Sequence, residues 1–419
     1  MNGQEQRILF LSHNLPYPPH AGVTHRTYNA LRELASEFLV DVLAFHRKAY
    51  HPGADSVAAA VDALSHHGRV RAVPLACSYS RIELVKGHIS SILNGRVYTL
   101  SQYASADYRS ALDRLLRSEP YDVVHIDSIV LAGYAKALDR YPIVCVHHNA
   151  ESDLLWRASR LERNPLKSGY LSLQARRMAA LEQECCPAFA ANVVVSALDR
   201  EKLAALAPEA RFEVIENGVD CHFFRPGKSE DDTRRVVFVG GLSWPPNWDG
   251  VLFFLREIWP LLRARVPALS LDLVGSCTDR QRRLLKKHPG VNVLGRVDDI
   301  RPYVRRAGCA VVPLRVGGGT RIKILDAWAM GKAVVSTALG CEGLRYADEG
   351  NILVRDTARD FADAVTRVLE NRRLRQDLGD TARRTAMEHY SWSSLGRRMR
   401  ELYHEVGQMG RRARFVCGA

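Results

Sequence analysis

Short apolar runs alternate with longer stretches of helical spacing along almost the whole chain. The runs at Ile8–Leu11, Val40–Ala44, Val123–Ile126, Ile143–Val146 and Asn192–Val195 are too short for helices and apolar on both faces, so they predict buried parallel strands. A helix is predicted from about Thr24, as its N-cap, to Ala35, and another closes between Leu203 and about Pro208. The short strand Glu213–Ile215 runs into the turn Glu216-Asn217-Gly218. A polar stretch from Arg225 to Arg235, mostly charged residues with Pro226 and Gly227, then breaks the pattern and reads as a linker. Beyond it the alternation restarts, with strands at Val236–Val239, Leu269–Val274, Val291–Leu294, Cys309–Pro313 and Ala333–Ser336. The expected class is α/β: two doubly wound halves, each with a parallel sheet, joined near residues 225–235.

The segment from Val311 to Leu344 carries the clearest chemistry. A strand ending at Pro313 is followed by Gly317-Gly318-Gly319, a helix predicted over Thr320–Met330 with Thr320 as N-cap, and a return strand. That layout offers backbone N–H groups to phosphate. Arg321 and Lys323 fall in the first turn, where the helix dipole disfavours each cation by a few tenths to ~1 kcal/mol. A bound anion reverses that sign, with Arg321 as a planar fork and Lys323 as a point charge. Asp326, one turn further on, is in reach of a ribose diol. The competing reading is a plain turn followed by a helix with two solvated cations.

At 419 residues, two cores are the natural division. The 59 basic residues against 46 acidic ones leave a formal charge of +13, which narrows the partners to nucleic acid, anionic lipid or a phosphorylated substrate. No nucleic-acid-binding pattern is visible, so nucleic acid is not an expected partner. The nine cysteines contain no C-x-x-C pair, so neither structural zinc nor a disulfide framework is expected. The N-terminal apolar run stops at His13 before prolines and reads as a first strand, which points to a cytoplasmic protein.

Two further loops sit at predicted strand ends. Residues 12–22 form a proline-stiffened loop that delivers Gly22 to the first helix, where a missing Cβ would let backbone approach a diphosphate; a simple turn explains it equally. His147-His148-Asn149-Ala150-Glu151 follows the Ile143–Val146 strand. Adjacent strand residues point to opposite faces, so at most one imidazole faces a ligand. A metal site and ordinary surface polarity remain open for this cluster.

Several blocks taken together resemble the GT-B glycosyltransferases of the GT4 type. They are Tyr17-Pro18-Pro19 with Gly22, His148-Asn149-x-Glu151, Val195-Ser196 with Asp199, and Ile215-Glu216-Asn217-Gly218-Val219-Asp220. The second half adds Phe238-Val239-Gly240, Leu294-Gly295-x-Val297, Thr320–Thr337 with Ala329-Met330-Gly331-Lys332, and Tyr390-Ser391-Trp392. The resemblance implies two Rossmann-like domains facing each other across a cleft. Residues 1–224 would bind acceptor, with a C-terminal helix at 391–406 packing back, and residues 225–390 would bind the nucleotide sugar. It implies retaining sugar transfer without an obligatory metal or other cofactor. It places Gly22 and Gly240 near the donor phosphates, His148 at the reacting sugar, the amides of Gly319, Thr320, Arg321 and Ile322 on the diphosphate, Asp326 on the ribose, and the backbone near Val297 on the base.

Two departures stand out. An acidic position common in the family is Gly318 here. The Arg and Lys usual after the first strand of the second domain are missing from Gly241-Leu242-Ser243-Trp244-Pro245-Pro246-Asn247-Trp248-Asp249, which leaves Arg321 and Lys323 as their replacement. The expected function is hexosyl transfer to a saccharide or polyprenyl-linked saccharide, in cell-envelope or exopolysaccharide assembly. The alternatives are a non-catalytic nucleotide-sugar-binding partner, or a relative such as an epimerase or phosphorylase. The stretches Ser80–Tyr103 and Trp156–Arg177, the latter with six basic residues and one Glu, are candidates for contact with an anionic membrane at its inner face.

Overall fold

In the computed structural model, which describes residues 6–19, 22–227, 232–317 and 321–417, thirteen strands form two sheets among the described residues. The first holds β1 (Arg7–Ser12), β2 (Leu39–His46), β3 (Arg69–Pro74), β4 (Val123–Ile126), β5 (Ile143–His147), β6 (Ala191–Val194) and β7 (Phe212–Val214), in the order β3-β2-β1-β4-β5-β6-β7. The second holds β8 (Asp232–Val239), β9 (Ser270–Val274), β10 (Val291–Gly295), β11 (Ala307–Val312), β12 (Val334–Ser336) and β13 (Leu353–Val354), in the order β10-β9-β8-β11-β12-β13. Pairing is parallel throughout, with Ile8 opposite Val40 and Val123 in one sheet and Val236 opposite Leu271 and Cys309 in the other. Central strands such as β4 and β11 are buried at every position. That is why they read as continuous apolar runs and not as alternation.

In both sheets the strand order reverses beside the first strand, between β1 and β4 and between β8 and β11. In open α/β sheets ligands bind in the crevice outside the carboxyl ends at that reversal. The residues following β1, β4, β5, β8 and β11 therefore take on the chemical interest.

The chain divides into Met1–Glu216 with Leu395–Ala419, and Asn217–Ser394. The division falls upstream of the polar break at 225–235, where the sequence alone placed it. The reason is the turn around Val219. Its N–H donates to the Tyr390 carbonyl at 2.7 Å and it bridges Ser391 in parallel fashion, which ties residues 217–224 to the second unit. The C-terminal helix spans Trp392–Cys417, longer than expected. Strands β3 and β13 were not anticipated. β3 is an edge strand carrying Arg69, whose guanidinium pairs with Asp41 at 2.6 Å and with Glu119 at 2.9 Å, so its charge hides its strand character. No helix is long and apolar enough to cross a membrane among the described residues.

Candidate functional site

In the second unit the helix after β11 runs Ile322–Ala329, with Arg321 at its N-cap position. Thr320, expected there, lies outside the described residues, as do Gly318 and Gly319. Arg321 is buried and its guanidinium donates to the Leu339 carbonyl at 3.3 Å. Lys323, in the first turn, points its ammonium at Asn247 Oδ1, 2.6 Å away, and over the Phe238 ring at 4.5 Å from the centroid. Asn247 is itself held by donating to the Gly241 carbonyl at 2.9 Å. Gly240, immediately after β8, closes this cradle. A methyl group there would lie 2.8 Å from both Lys323 Nζ and Asn247 Nδ2, at a backbone φ of +155°. The glycine is thus required by close approach as well as by conformation.

Burial, with help from neighbouring Arg321, pushes the Lys323 ammonium down from 10.5 to about 7. A cation with so little local compensation, at the N-terminus of a helix, is stored electrostatic strain. Asp326 is the counterpart: it is buried, its Oδ1 has no hydrogen-bond partner, and burial raises its carboxyl from 3.8 to about 8. An orphaned buried carboxyl oxygen needs a donor to satisfy it, and a hydroxyl would serve. Ile322 opens the helix with its side chain half-buried. Val297 follows the carboxyl end of β10, packed partly against the core.

The Ala329-Met330-Gly331-Lys332 block is structural. Gly331, at φ +66°, donates to the Trp328 carbonyl and Lys332 N–H to Ala327. This is a Schellman end. Lys332 Nζ then caps the carbonyls of Arg305 and Ala307 at 3.0 and 2.7 Å.

In the first unit Gly22 opens the helix Gly22–Ala35, so Thr24 lies inside it and is not its cap. His148, after β5, donates from Nε2 to the Asp127 main-chain carbonyl at 2.8 Å. Asp127 follows β4, and around its carboxylate stand Ser12 and Thr27 hydroxyls (3.2 and 2.8 Å), His13 Nδ1 (3.4 Å), His125 Nε2 (3.6 Å) and His148 Nε2 (3.5 Å). Burial alone would push Asp127 up. His148, His125 and His13 outweigh it and hold the carboxyl well below the usual range. His125 stacks on Phe10 and bonds to the Tyr403 hydroxyl of the C-terminal helix. His147 turns the other way, onto Asn192 at 3.0 Å, and burial lowers it to about 4, a neutral core histidine. The Ser196–Asp199 block supports the His148 loop, since Asp199 accepts from the Ala150 N–H at 3.1 Å.

Among the described residues, the ligand atoms of His13, Asp127 and His148 all lie within 4.8 Å of one another, so these three could hold a metal. The fit is poor. His148 Nε2 can meet a carbonyl only by carrying a proton, which removes its lone pair, and Asp127 Oδ2 already accepts two hydroxyls.

The structure therefore gathers Gly240, Lys323 and Arg321 around the β8 and β11 ends, with Asp326 about one turn further along the Ile322–Ala329 helix, and His148 with His13 and Asp127 around the β1, β4 and β5 ends. The sequence reading missed Asn247, Asp127, His13 and His125 as site residues. Asn247 was visible in the segment that lacks cations, and Asp127 in His125-Ile126-Asp127 at a strand end, but neither type signals a role until its partners are known.

Comparison with known proteins matches residues 20–223 to the model described as Glycosyltransferase Family 4 and residues 233–371 to Glycosyl transferases group 1. Among relatives, an uncharacterised protein from the cps region of Klebsiella pneumoniae is 28% identical over 130 residues, 29% of this chain and 34% of that protein, so the chain spans only about a third of its length. The D-inositol 3-phosphate glycosyltransferase of Nocardioides sp. is 27% identical over 322 residues, 68% of each chain. Sucrose-phosphate synthase from Thermosynechococcus elongatus shares the fold with a TM-score of 0.69 at 17% identity, over 96% of this chain and 99% of that one. The Anabaena protein HepE in complex with UDP and glucose does so at 0.65 and 14%, over 96% and 100%.

Proposed function

Because the chain belongs to the GT4-type glycosyltransferases of the GT-B fold, we propose that it moves a hexosyl group from a nucleoside-diphosphate sugar to a hydroxyl of a saccharide or polyprenyl-linked saccharide, with retention at the anomeric carbon. The second unit binds the donor and the first the acceptor. The observation that carries the reading is the cradle of Lys323, Asn247 and Gly240 beside Arg321, at the reversal of the second sheet. The binding of UDP by HepE supports the donor class.

Departure of the nucleoside diphosphate is the hard step. The C1–O bond breaks with its electron pair going to the β-phosphate oxygen. The acceptor oxygen bonds to C1 on the same face and its proton passes to the leaving phosphate. Lys323, Arg321 and the amide of Ile322 meet the charge as it develops, a preorganised electrostatic stabilisation. The resemblance also assigns Gly22, Gly319 and Thr320 to the diphosphate, the last two lying outside the described residues. The orphaned Asp326 oxygen takes a ribose hydroxyl, and the backbone near Val297 meets the base. His148, its Nε2 proton committed to the Asp127 carbonyl, presents Nδ1 as an acceptor to a sugar hydroxyl. Because the cations supply the charge, the reaction needs no metal.

Product analysis with a panel of nucleotide sugars and acceptors tests the reading. Transfer with retained anomeric configuration, lowered by about one to three powers of ten in Arg321→Ala and Lys323→Ala, is expected. Epimerised donor, phosphorolysis, or unchanged kinetics in both variants would overturn it.

A further inference from the structure

The helix Arg81–Asn94 is amphipathic in the reverse sense. At about 100° per residue, Ile82, Val85, Ile89, Ile92 and Leu93 fall on one stripe, and all five face solvent, Ile82 at 68% and Leu93 at 78%. The face that packs into the unit is small and polar. A Cβ on Gly87 would sit 3.1 Å from the Tyr98 ring, His88 stacks on Tyr98 at 3.7 Å, and buried Ser91 accepts from Gln174 at 3.1 Å. A surface helix ordinarily turns its aliphatic stripe inward. This one turns it out.

A second helix, Pro165–Cys185, enlarges the patch. Leu166, Tyr170, Leu173 and Arg177 recur at the three- and four-residue spacing of one face. Tyr170 and Arg177 are the residues that bond to His88 and to the Ser91 carbonyl, both at 2.7–2.8 Å. Leu166 (85%) and Leu173 (40%) are consequently exposed on the side that adjoins the first helix. Lys86, Arg96, Arg163, Lys167 and Arg176 are all exposed on these helices or the segments flanking them. The nearby acids Glu83 and Glu162 are paired with Lys86 and Lys167.

We propose that this face docks on an anionic lipid bilayer, the Arg81–Asn94 helix lying in the interfacial plane. An exposed apolar patch of this extent marks an interaction site. Its chemistry selects lipid over protein: protein interfaces concentrate energy in aromatic and Arg anchors set in pockets, whereas a shallow Ile/Leu/Val stripe flanked by Lys and Arg suits headgroups above and acyl chains below. Both stretches named from sequence, 80–103 and 156–177, contribute to this one surface.

The test is sedimentation of the full chain with vesicles of phosphatidylcholine, alone or with about one third phosphatidylglycerol, at low and high salt. Binding only to the anionic vesicles, weakened by salt, is expected. The double variant Ile89→Asp/Leu93→Asp lowers it by roughly tenfold or more, since carboxylates replace aliphatics that would enter the bilayer and instead face anionic headgroups. Leu284→Asp, a half-exposed leucine of the second unit, leaves it unchanged. Thermal melting of the double variant matches wild type, because both sites are exposed. Absence of wild-type binding, equal binding by the double variant, or a self-associating wild type made monomeric by the double variant would overturn the proposal. Donor hydrolysis in solution is unaffected in each case, so failure here leaves the transferase reading standing.

Discussion

Replacing Lys323 by methionine should make the free protein more stable while disabling it. The ammonium is held at about 7 against an ordinary 10.5, a difference worth at most ~5 kcal/mol at 1.4 kcal/mol per pH unit. Removing the charge forfeits the Asn247 bond at 2.6 Å and the Phe238 contact at 4.5 Å, together about 2 kcal/mol. The net gain is therefore about 2–3 kcal/mol where wild-type Lys323 is charged in both states. The sign with pH follows from linkage. Between about 7 and 10.5 the unfolded chain binds the proton and the folded chain does not, so wild-type stability rises with pH and the advantage of methionine shrinks, to near zero by about pH 9. Urea unfolding of both proteins at pH 6.5 and 9, followed by the buried tryptophans Trp328 and Trp259 of the second unit, measures this directly. Turnover, in contrast, falls by about one to three powers of ten. A variant less stable than wild type at pH 6.5, or a difference that does not change with pH, would refute the account of Lys323 as strain relieved by a bound anion.

Other consequences are open to measurement. Gly240→Ala drives a methyl group to 2.8 Å from Lys323 Nζ and Asn247 Nδ2; calorimetry should find UDP affinity lowered by about tenfold or more, and unaltered affinity would argue against the cradle. Asp326→Asn removes a carboxyl that burial holds at about 8. Since the folded chain keeps this proton through the range 3.8 to 8, wild-type stability falls as pH rises through it, so the asparagine variant should be the more stable at pH 8.5 and indistinguishable at pH 3.5. Asp127→Asn removes the charge that His13, His125 and the Ser12 and Thr27 hydroxyls surround; chemical denaturation at pH 7 should show a loss of about 2–4 kcal/mol, with the protein remaining folded. Asn247→Ala should lower donor affinity about as much as Gly240→Ala does and also lower thermal stability, since the Lys323 ammonium loses its bond to Asn247 Oδ1 and the Gly241 carbonyl its donor, as a thermal-shift titration with UDP would show.

The alternation of apolar runs and helical stretches was enough to read both sheets, because a strand covered on both faces must be apolar along its length. Eleven of the strands fall within a few residues of the runs that predict them, from Val123–Ile126 to Val334–Ser336. The misses have one cause. β3 and β13 sit at sheet edges, where half the surface is wet and the pattern weakens. The boundary error near 217–224 has another: the Val219 turn joins the second unit through main-chain bonds to Tyr390, which carry no side-chain signature.

What the sequence determined by itself was the fold class, the family motifs and the anomaly of two cations at a helix start, since periodicity and charge placement are local properties of the chain. Only the tertiary structure decided what those cations meet. Lys323 and Asn247 are 76 positions apart, yet packing of the Ile322–Ala329 helix beside the end of β8 brings them to 2.6 Å. The same holds for Asp127, which becomes a charged hub only when β1, β4 and β5 align their carboxyl ends. The inverted helix at 81–94 is the clearest case. Its sequence records an aliphatic stripe, and only the fold says which way that stripe faces, because orientation is set by the polar bonds of His88 and Ser91 to residues some 80 positions later.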